Sequence, residues 1–548
     1  MALSGSSAGV ARRLAKPIAE RAFTTRLYAR SLKGEAPTSL RCEPLDPAPG
    51  DPDFANALFQ GRYVFGGEQK SALNEPPWNL QDASEAWHVE ANSFEWLADF
   101  RATEAETARL RARELVRSWI DLNEKWQPLS WRTDVLGRRL VWWACHAGFL
   151  CDGAEPTFRR NFFGSFAAQA RHLNRSAGFL IDDVWNLPAF VGRVVAEGAL
   201  YGKTKRFVTD MQSLQELISQ EVAPDGTLPS RNAEVALNSL RLLLAAKSVI
   251  ERLNIELPST VADTIKRIAL GLKCFRHGDG RFGVFNAGNE SDRGYIDAIL
   301  AASKARGATP SALPQGGFHR MSAGRTLLLL DVGKPEQIHP TTHAGLASFE
   351  LSVSRDRVIV NCGSNGGGQW RKAGRATAAH STLVVSDTNS IDLSDRGTKT
   401  ETNLSIHSEH REEAGNALIE SWHDGYVTRF GLRHGRAIYL SADGSQIRGE
   451  DSLTAVGEKG RNAQPFAIRF HLHPQVNTSI AADGVSALLR LPHGGGLQLR
   501  SSTKIALEES IYLGSSEGVR GSQQLVIHGH TEPAGQTILK WAFTVYSR

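Results

Sequence analysis

The sequence predicts an α+β multidomain chain, an incomplete helical (α/α) toroid followed by an antiparallel β-sandwich. From about residue 93, apolar residues recur at three- and four-residue intervals through at least seven successive segments separated by short loops. From Phe318 onward the pattern becomes alternating runs of four to eight residues, with Gly, Asp and Asn at the turns. Between the two regimes, near residue 310, lies the linker ATPSALPQGG. At 548 residues the chain also exceeds what a single core accommodates.

Residues 1–90 read as an irregular N-terminal extension. APTSLRCEPLDPAPGDP, over 36–52, is a Pro-rich connector, and FQGRYVFGG is the clearest apolar piece. Residues 91–309 carry the toroid, in segments such as TEAETARLRARELVRSWIDLNEKW, DVLGRRLVWWACHAGFL, LPAFVGRVVAEGAL and AEVALNSLRLLLAAKSVIERL. Consecutive amphipathic helices with short turns stack as antiparallel hairpins. No 34-residue repeat is evident, which favours a closed or horseshoe-shaped toroid over a solenoid. Residues 310–548 carry the sandwich, in runs such as GRTLLLLDVG, ASFELSVS, DRVIVNCG, RAIYLSADG, SQQLVIHGH and TILKWAFTVYS.

Composition is that of a soluble globular chain, 41% apolar and 22% charged, with no apolar run of bilayer-spanning length. The net charge of +5 permits an acidic partner, and basic residues are too dispersed for a nucleic-acid module. Five cysteines (Cys42, Cys145, Cys151, Cys274, Cys362) lack metal-finger spacing and are odd in number, which points to buried free thiols. The first 34 residues are basic and slightly amphipathic but have no continuous apolar h-region, so no secretory signal is expected.

Most functional information lies in HAGLASFELSVSRDRVIVNCGSNGGGQWRKAGRATAAHSTL, from His343 to Leu383. His343, Asn361 and His380 stand 18 and 19 residues apart, about one hairpin step in an antiparallel sheet. That spacing can gather three polar side chains on one sheet face. Neutral imidazoles are good zinc ligands, and an amide oxygen can complete a site weakly. The alternative is that both histidines cap and cross-link loops by hydrogen bonding.

This block resembles the C-terminal domain of the heparinase II/III family, polysaccharide lyases that join a helical toroid to a β-sandwich. GGFHRMSAGRTLLLLDVG and HDGYVTRFGLRHGRAIYLSADG extend the resemblance, which runs from about residue 90 to the C-terminus and is strongest over 316–441. It implies His343, Asn361 and His380 as metal ligands. The family's His-x-His pair has its first histidine, the catalytic one, at the position of Thr341, and its aspartate ligand falls on Asn361. Losing the only negative ligand weakens the expected zinc site. In the toroid, the family's Asn-His pair maps to DDVWNLPAFVGRVVAEGAL, where Asn186 is the amide retained. The family's tyrosine region maps to APDGTLPSRNAEVALNSL, where the Asp225-Gly226 turn is kept but Arg231 and Asn232 replace the aromatic base.

The resemblance implies β-elimination on a uronic-acid-containing glycan, whether heparin/heparan-, alginate- or exopolysaccharide-like. Such a reaction needs a neutralised carboxylate, a base at C5 and an acid at the leaving oxygen. Arg231, Asn232 and Asn186 are candidates for the first role, His380 for the base and Tyr426 for the acid, with Tyr201 and Tyr295 in reserve. Against these stand Asn232 as a plain helix cap and Tyr426 as a core tyrosine. The tryptophans Trp87, Trp96, Trp126, Trp131, Trp142, Trp143 and Trp185 are either cleft platforms or helix-packing core. Two other readings compete. One is a glycoside hydrolase using Asp182, Asp183, Asp225 or Asp279. The other is a noncatalytic glycan-binding or envelope-assembly protein with a degenerate site. The family implies the cell envelope or periplasm, whereas the N-terminus favours the cytoplasm.

Overall fold

The computed structural model describes residues 16–72, 75–176, 186–335, 341–364, 369–393, 404–515 and 518–546. Asp182, Asp183 and Trp185 lie outside them. The chain divides into two compact units. One comprises the chain up to Glu221 together with Leu237–Lys266 and Asp297–Ala305; the other comprises Val222–Ala236, Arg267–Ile296 and Arg306–Arg548. A single division at residue 310 would place 222–236 and 267–296 with the helices. They cluster with the strands instead, because their polar side chains bond to strand residues: Arg231 to Asp331 and His277 to Glu350.

The helices of the first unit start where the sequence supplies caps. Asp51 accepts from the backbone N–H groups of Asp53 and Phe54 ahead of Pro52–Phe59, with proline in the first turn. Ser84 accepts from Trp87 N–H at the start of Glu85–Ser93. Thr133–Cys145 and Leu187–Tyr201 are buried over most of their surface and pack on one another. Their approach depends on two glycines. A Cβ at Gly192 would lie 2.6 Å from Gly137 Cα, and one at Gly137 would lie 2.2 Å from the Pro188 carbonyl oxygen. Trp87, Trp96, Trp131, Trp142 and Trp143 are all buried, so these five belong to the helical core. Arg139 is wholly buried there. Its guanidinium lies 4.0 Å over the Trp119 ring and donates to Gln169 Oε1 (2.7 Å) and to the Asn92 and Ser130 carbonyls (2.9 and 2.6 Å).

The second unit holds two antiparallel sheets. One of eight strands runs from Asn477–Ile480 at one edge to Ile406–Glu413 at the other; one of nine runs from Ala506–Tyr512 to Ala312–Leu313, with Leu383–Val385 pairing to Pro465–Leu472. Strand Leu432–Leu440 alternates buried and half-buried residues throughout, the pattern of a sheet with one face in a core. Strands Thr326–Asp331, Phe349–Val353 and Asp356–Val360 are buried on both faces, so Glu350, Ser352, Asp356 and Arg357 are buried along with the apolar residues around them. Leu328, Phe349, Ile359 and Phe470 from one sheet and Ile419, Ile438, Leu499 and Trp541 from the other form one core cluster, so the sheets make a β-sandwich. All five cysteines are free, and all but Cys42 are buried.

Gly192→Ala should therefore destabilise the helical unit by about 1–3 kcal/mol, because its methyl meets backbone that cannot give way. Urea unfolding followed by tryptophan fluorescence measures it.

Candidate functional site

His343 and His380 do meet. His380 follows the short 3₁₀ turn Thr377–Ala379, and its Nδ1 lies 2.8 Å from the Ala376 carbonyl. A carbonyl only accepts, so Nδ1 carries the proton and Nε2 is bare. That bare nitrogen lies 3.0 Å from His343 Nδ1, which must donate to it. Proton positions along the chain His343→His380→Ala376 are thereby fixed. His343 Nε2 is left buried with no hydrogen-bond partner among the described residues. The rings stand edge to face, and Gly345 gives His380 its room, since a Cβ there would lie 2.6 Å from the imidazole. Burial lowers the His380 pKa to about 4. Burial, then the neighbouring His380, holds His343 well below the usual imidazole value.

Asn361 does not join them. It follows strand Asp356–Val360, and its Oδ1 accepts from Ser381 N–H at 3.0 Å. Its Nδ2 donates to the Val284 carbonyl (3.2 Å) and to Glu350 Oε1 (3.3 Å). The three expected metal ligands therefore do not present three free lone pairs to a common point, and the donor set does not fit a tetrahedral zinc. Among the described residues, no cluster of three or more His, Cys, Asp or Glu side chains could hold a metal ion. Thr341 stands half-buried two residues before His343, and a threonine there cannot serve as the imidazole base.

The remaining turn residues stitch the block together. Hydroxyls of Thr377, Ser381 and Thr382 donate to the carbonyls of Ala344, Val360 and Leu346 at 2.6–2.8 Å. Arg436, from strand Leu432–Leu440, donates to the carbonyls of Ala347 and Ser381 and forks onto Asp451 at 2.8 and 3.0 Å. Beside it runs a second histidine chain: His423 Nε2 donates to His434 Nδ1, and His434 Nε2 to Asp451 (3.0 and 2.7 Å). Burial opposes the charge on Asp451, yet Arg436 and His434 hold its carboxyl far below the usual range.

Tyr426, Arg231 and Asn232, also expected at the site, are committed elsewhere. Tyr426 is fully buried and donates its hydroxyl to the Leu383 carbonyl at 2.9 Å; burial raises its pKa, so it sits as a core tyrosine without access to a leaving group. Arg231 adopts a left-handed φ of 52°, unusual for a side-chain-bearing residue. Its guanidinium bonds Asp331 and the Gly316 carbonyl and lies 4.8 Å over the Phe318 ring. The carboxylate it grips is the chain's own. Asn232 caps helix Ala233–Arg252 by accepting from Val235 N–H at 3.0 Å, and donates to the Asn286 carbonyl at 2.8 Å. Asn186 belongs to the helical unit, where it stands half-buried at the start of Leu187–Tyr201 and makes no capping bond. Tyr201 closes that same helix and Tyr295 lies in Arg293–Ser303; both are half-buried. Of the candidate acids, Asp225 accepts from the N–H groups of Thr227, Gln315 and Gly316, and Asp279 pairs with Arg357 at 2.9 Å.

Sequence reasoning overlooked the loop RHGDGRFGVFNAGNE, residues 276–290. His277 Nε2 meets Glu350 Oε2 at 3.0 Å while its Nδ1 meets Ser352 Oγ at 2.8 Å. Val284 N–H donates to Glu350 Oε1, and Glu290 takes the Tyr512 hydroxyl at 2.5 Å and Arg281 at 2.9 Å. Its signal was available: a glycine-rich stretch between two helices that carries His, Asp, Asn and Glu.

With this geometry in hand, the chain's likenesses can be placed. Residues 305–542 match the family model described as heparinase II/III-like, C-terminal. Across 93% of this chain and 90% of the relative, it is 28% identical to FtsZ-localized protein C of Caulobacter vibrioides (strain NA1000 / CB15N). A crystal structure of heparinase III superposes with a TM-score of 0.70 at 15% identity, covering 100% of this chain and 92% of that one. A mutant of the heparan sulfate lyase HepC from Pedobacter heparinus gives a TM-score of 0.60 at 15% identity, over 90% and 83%. At these identities the two structures establish the fold.

The buried histidines make stability pH-dependent. An unfolded histidine takes up its proton near 6.5, whereas folded His380 resists until about 4 and His471, also buried, until about 3. Between those values the unfolded chain binds more protons, so stability is lost as pH falls from about 6.5 towards 4. Thermal melts should show Tm roughly 5–10 °C lower at pH 4.5 than at pH 7.

Proposed function

We propose that this heparinase II/III family protein uses a lyase fold to hold an acidic glycan of the cell envelope without cleaving it. One observation carries this reading: the residues expected as base, acid and arginine clamp, His380, Tyr426 and Arg231, spend those groups on their own chain. The His380 lone pair takes the His343 proton, the Tyr426 hydroxyl goes to Leu383, and the Arg231 fork goes to Asp331. β-Elimination needs all three functions aimed at the sugar in one cleft. The net charge of +5 suits an anionic polymer. The relative named for its localisation with FtsZ supports a place in envelope assembly at the division site. Among the described residues no helix is long and apolar enough to cross a membrane.

A catalytic reading retains one observation in its favour: His343 Nε2, unpartnered among the described residues, offers a lone pair that could accept a C5 proton. Incubation with heparan sulfate, alginate and polygalacturonate separates the two, with the ultraviolet absorbance of the unsaturated uronate product as readout. The binding reading expects no absorbance gain from any polymer, together with retention on a column of the immobilised glycan that His343→Ala leaves within about twofold. An absorbance rise abolished by His343→Ala would establish elimination instead.

A further inference from the structure

We infer that the place a heparinase-type metal would take is held here by a metal-free hydrogen-bond lock, keyed by the coupling of Asn361 to Glu350. This inference stands apart from whether the glycan is cleaved. Glu350 is a fully buried carboxylate on strand Phe349–Val353. Its Oε1 receives three donors: Val284 N–H at 3.0 Å, Asn361 N–H at 3.0 Å and Asn361 Nδ2 at 3.3 Å. Its Oε2 receives His277 Nε2 at 3.0 Å. Asn361 therefore has to donate on one side, to Glu350 and the Val284 carbonyl, and accept on the other, from Ser381 N–H. An amide does both without taking up a proton. An aspartate would set carboxylate oxygen against carboxylate oxygen and carbonyl oxygen with no proton between them.

The amide at 361 is thus more than a missing ligand. It is the residue that Glu350 and the 276–290 loop require. His343 and His380 join the lock through the proton His343 Nδ1 gives His380 Nε2, anchored at Ala376, while His343 Nε2 has no partner among the described residues. Hydrogen bonds then supply the cross-links between residues 343, 361, 380 and the loop that coordination would otherwise provide.

Elemental analysis of the purified full chain, with thermal melts in the presence and absence of EDTA, tests the lock directly. The expected result is substoichiometric zinc and a Tm that EDTA does not move. Asn361→Asp should lower Tm by on the order of 5 °C, and added zinc should not restore it. Combining it with Glu350→Gln should cost less than the sum of the two single changes, because the opposed charge is gone. One zinc per wild-type chain with an EDTA-induced fall in Tm would overturn the inference. So would an Asn361→Asp protein that binds zinc and gains stability from it. If Asn361→Asp fails to fold, the wild-type metal content and EDTA response still decide the matter.

Discussion

A carboxylate removed from water must be met by donors, and in the sandwich unit this requirement converges on Glu350. Its four hydrogen bonds come from His277, Val284 and both the backbone and side chain of Asn361. Leaving any of them unmade would expose a buried charge at a cost of roughly 1–3 kcal/mol or more. Satisfying Glu350 therefore draws residues 276–290 onto the strands and turns Asn361 away from the histidines. His343 and His380 are left to bond each other.

The same economy recurs through the unit. Asp331 is answered by Arg231 and Asn286, Glu290 by Arg281 and Tyr512, and Asp451 by Arg436, His434 and Trp541. Buried ion pairs of this kind are weak evidence for net stability, since desolvation offsets most of the attraction. They do dictate position: removing one partner strands the other, so each network tolerates one arrangement. Groups that a lyase would direct at substrate are consumed in holding the sandwich and its inserted segments in register. A lyase fold does not by itself carry lyase chemistry.

Periodicity made the architecture legible, because helix and strand patterns depend on neighbours in sequence. The meeting of His343 with His380 was legible for the same reason: two hairpin steps, of 18 and 19 residues, span them. What escaped was set by distant partners. Arg231 looked free to grip a ligand, but its carboxylate, Asp331, lies 100 residues downstream. Asn361 looked like a weakened ligand until Val284, 77 residues upstream, and Glu350 accounted for its amide. Tyr426 belongs to a strand whose burial only the second sheet creates. Asp279 was noticed as an acid, while the loop that carries it escaped attention, since glycine-rich stretches between helices resemble ordinary turns.

Protons are fixed along the hydrogen-bond chain from His343 through His380 to Ala376, and the ring nitrogens of the two histidines report them most directly. Long-range proton–nitrogen NMR correlation on histidine-labelled protein at neutral pH reads each nitrogen separately. Both rings should be neutral, each protonated at Nδ1 with Nε2 bare, and unchanged by EDTA. Shifts characteristic of metal-bound nitrogen, or an imidazolium at either position, would contradict this arrangement.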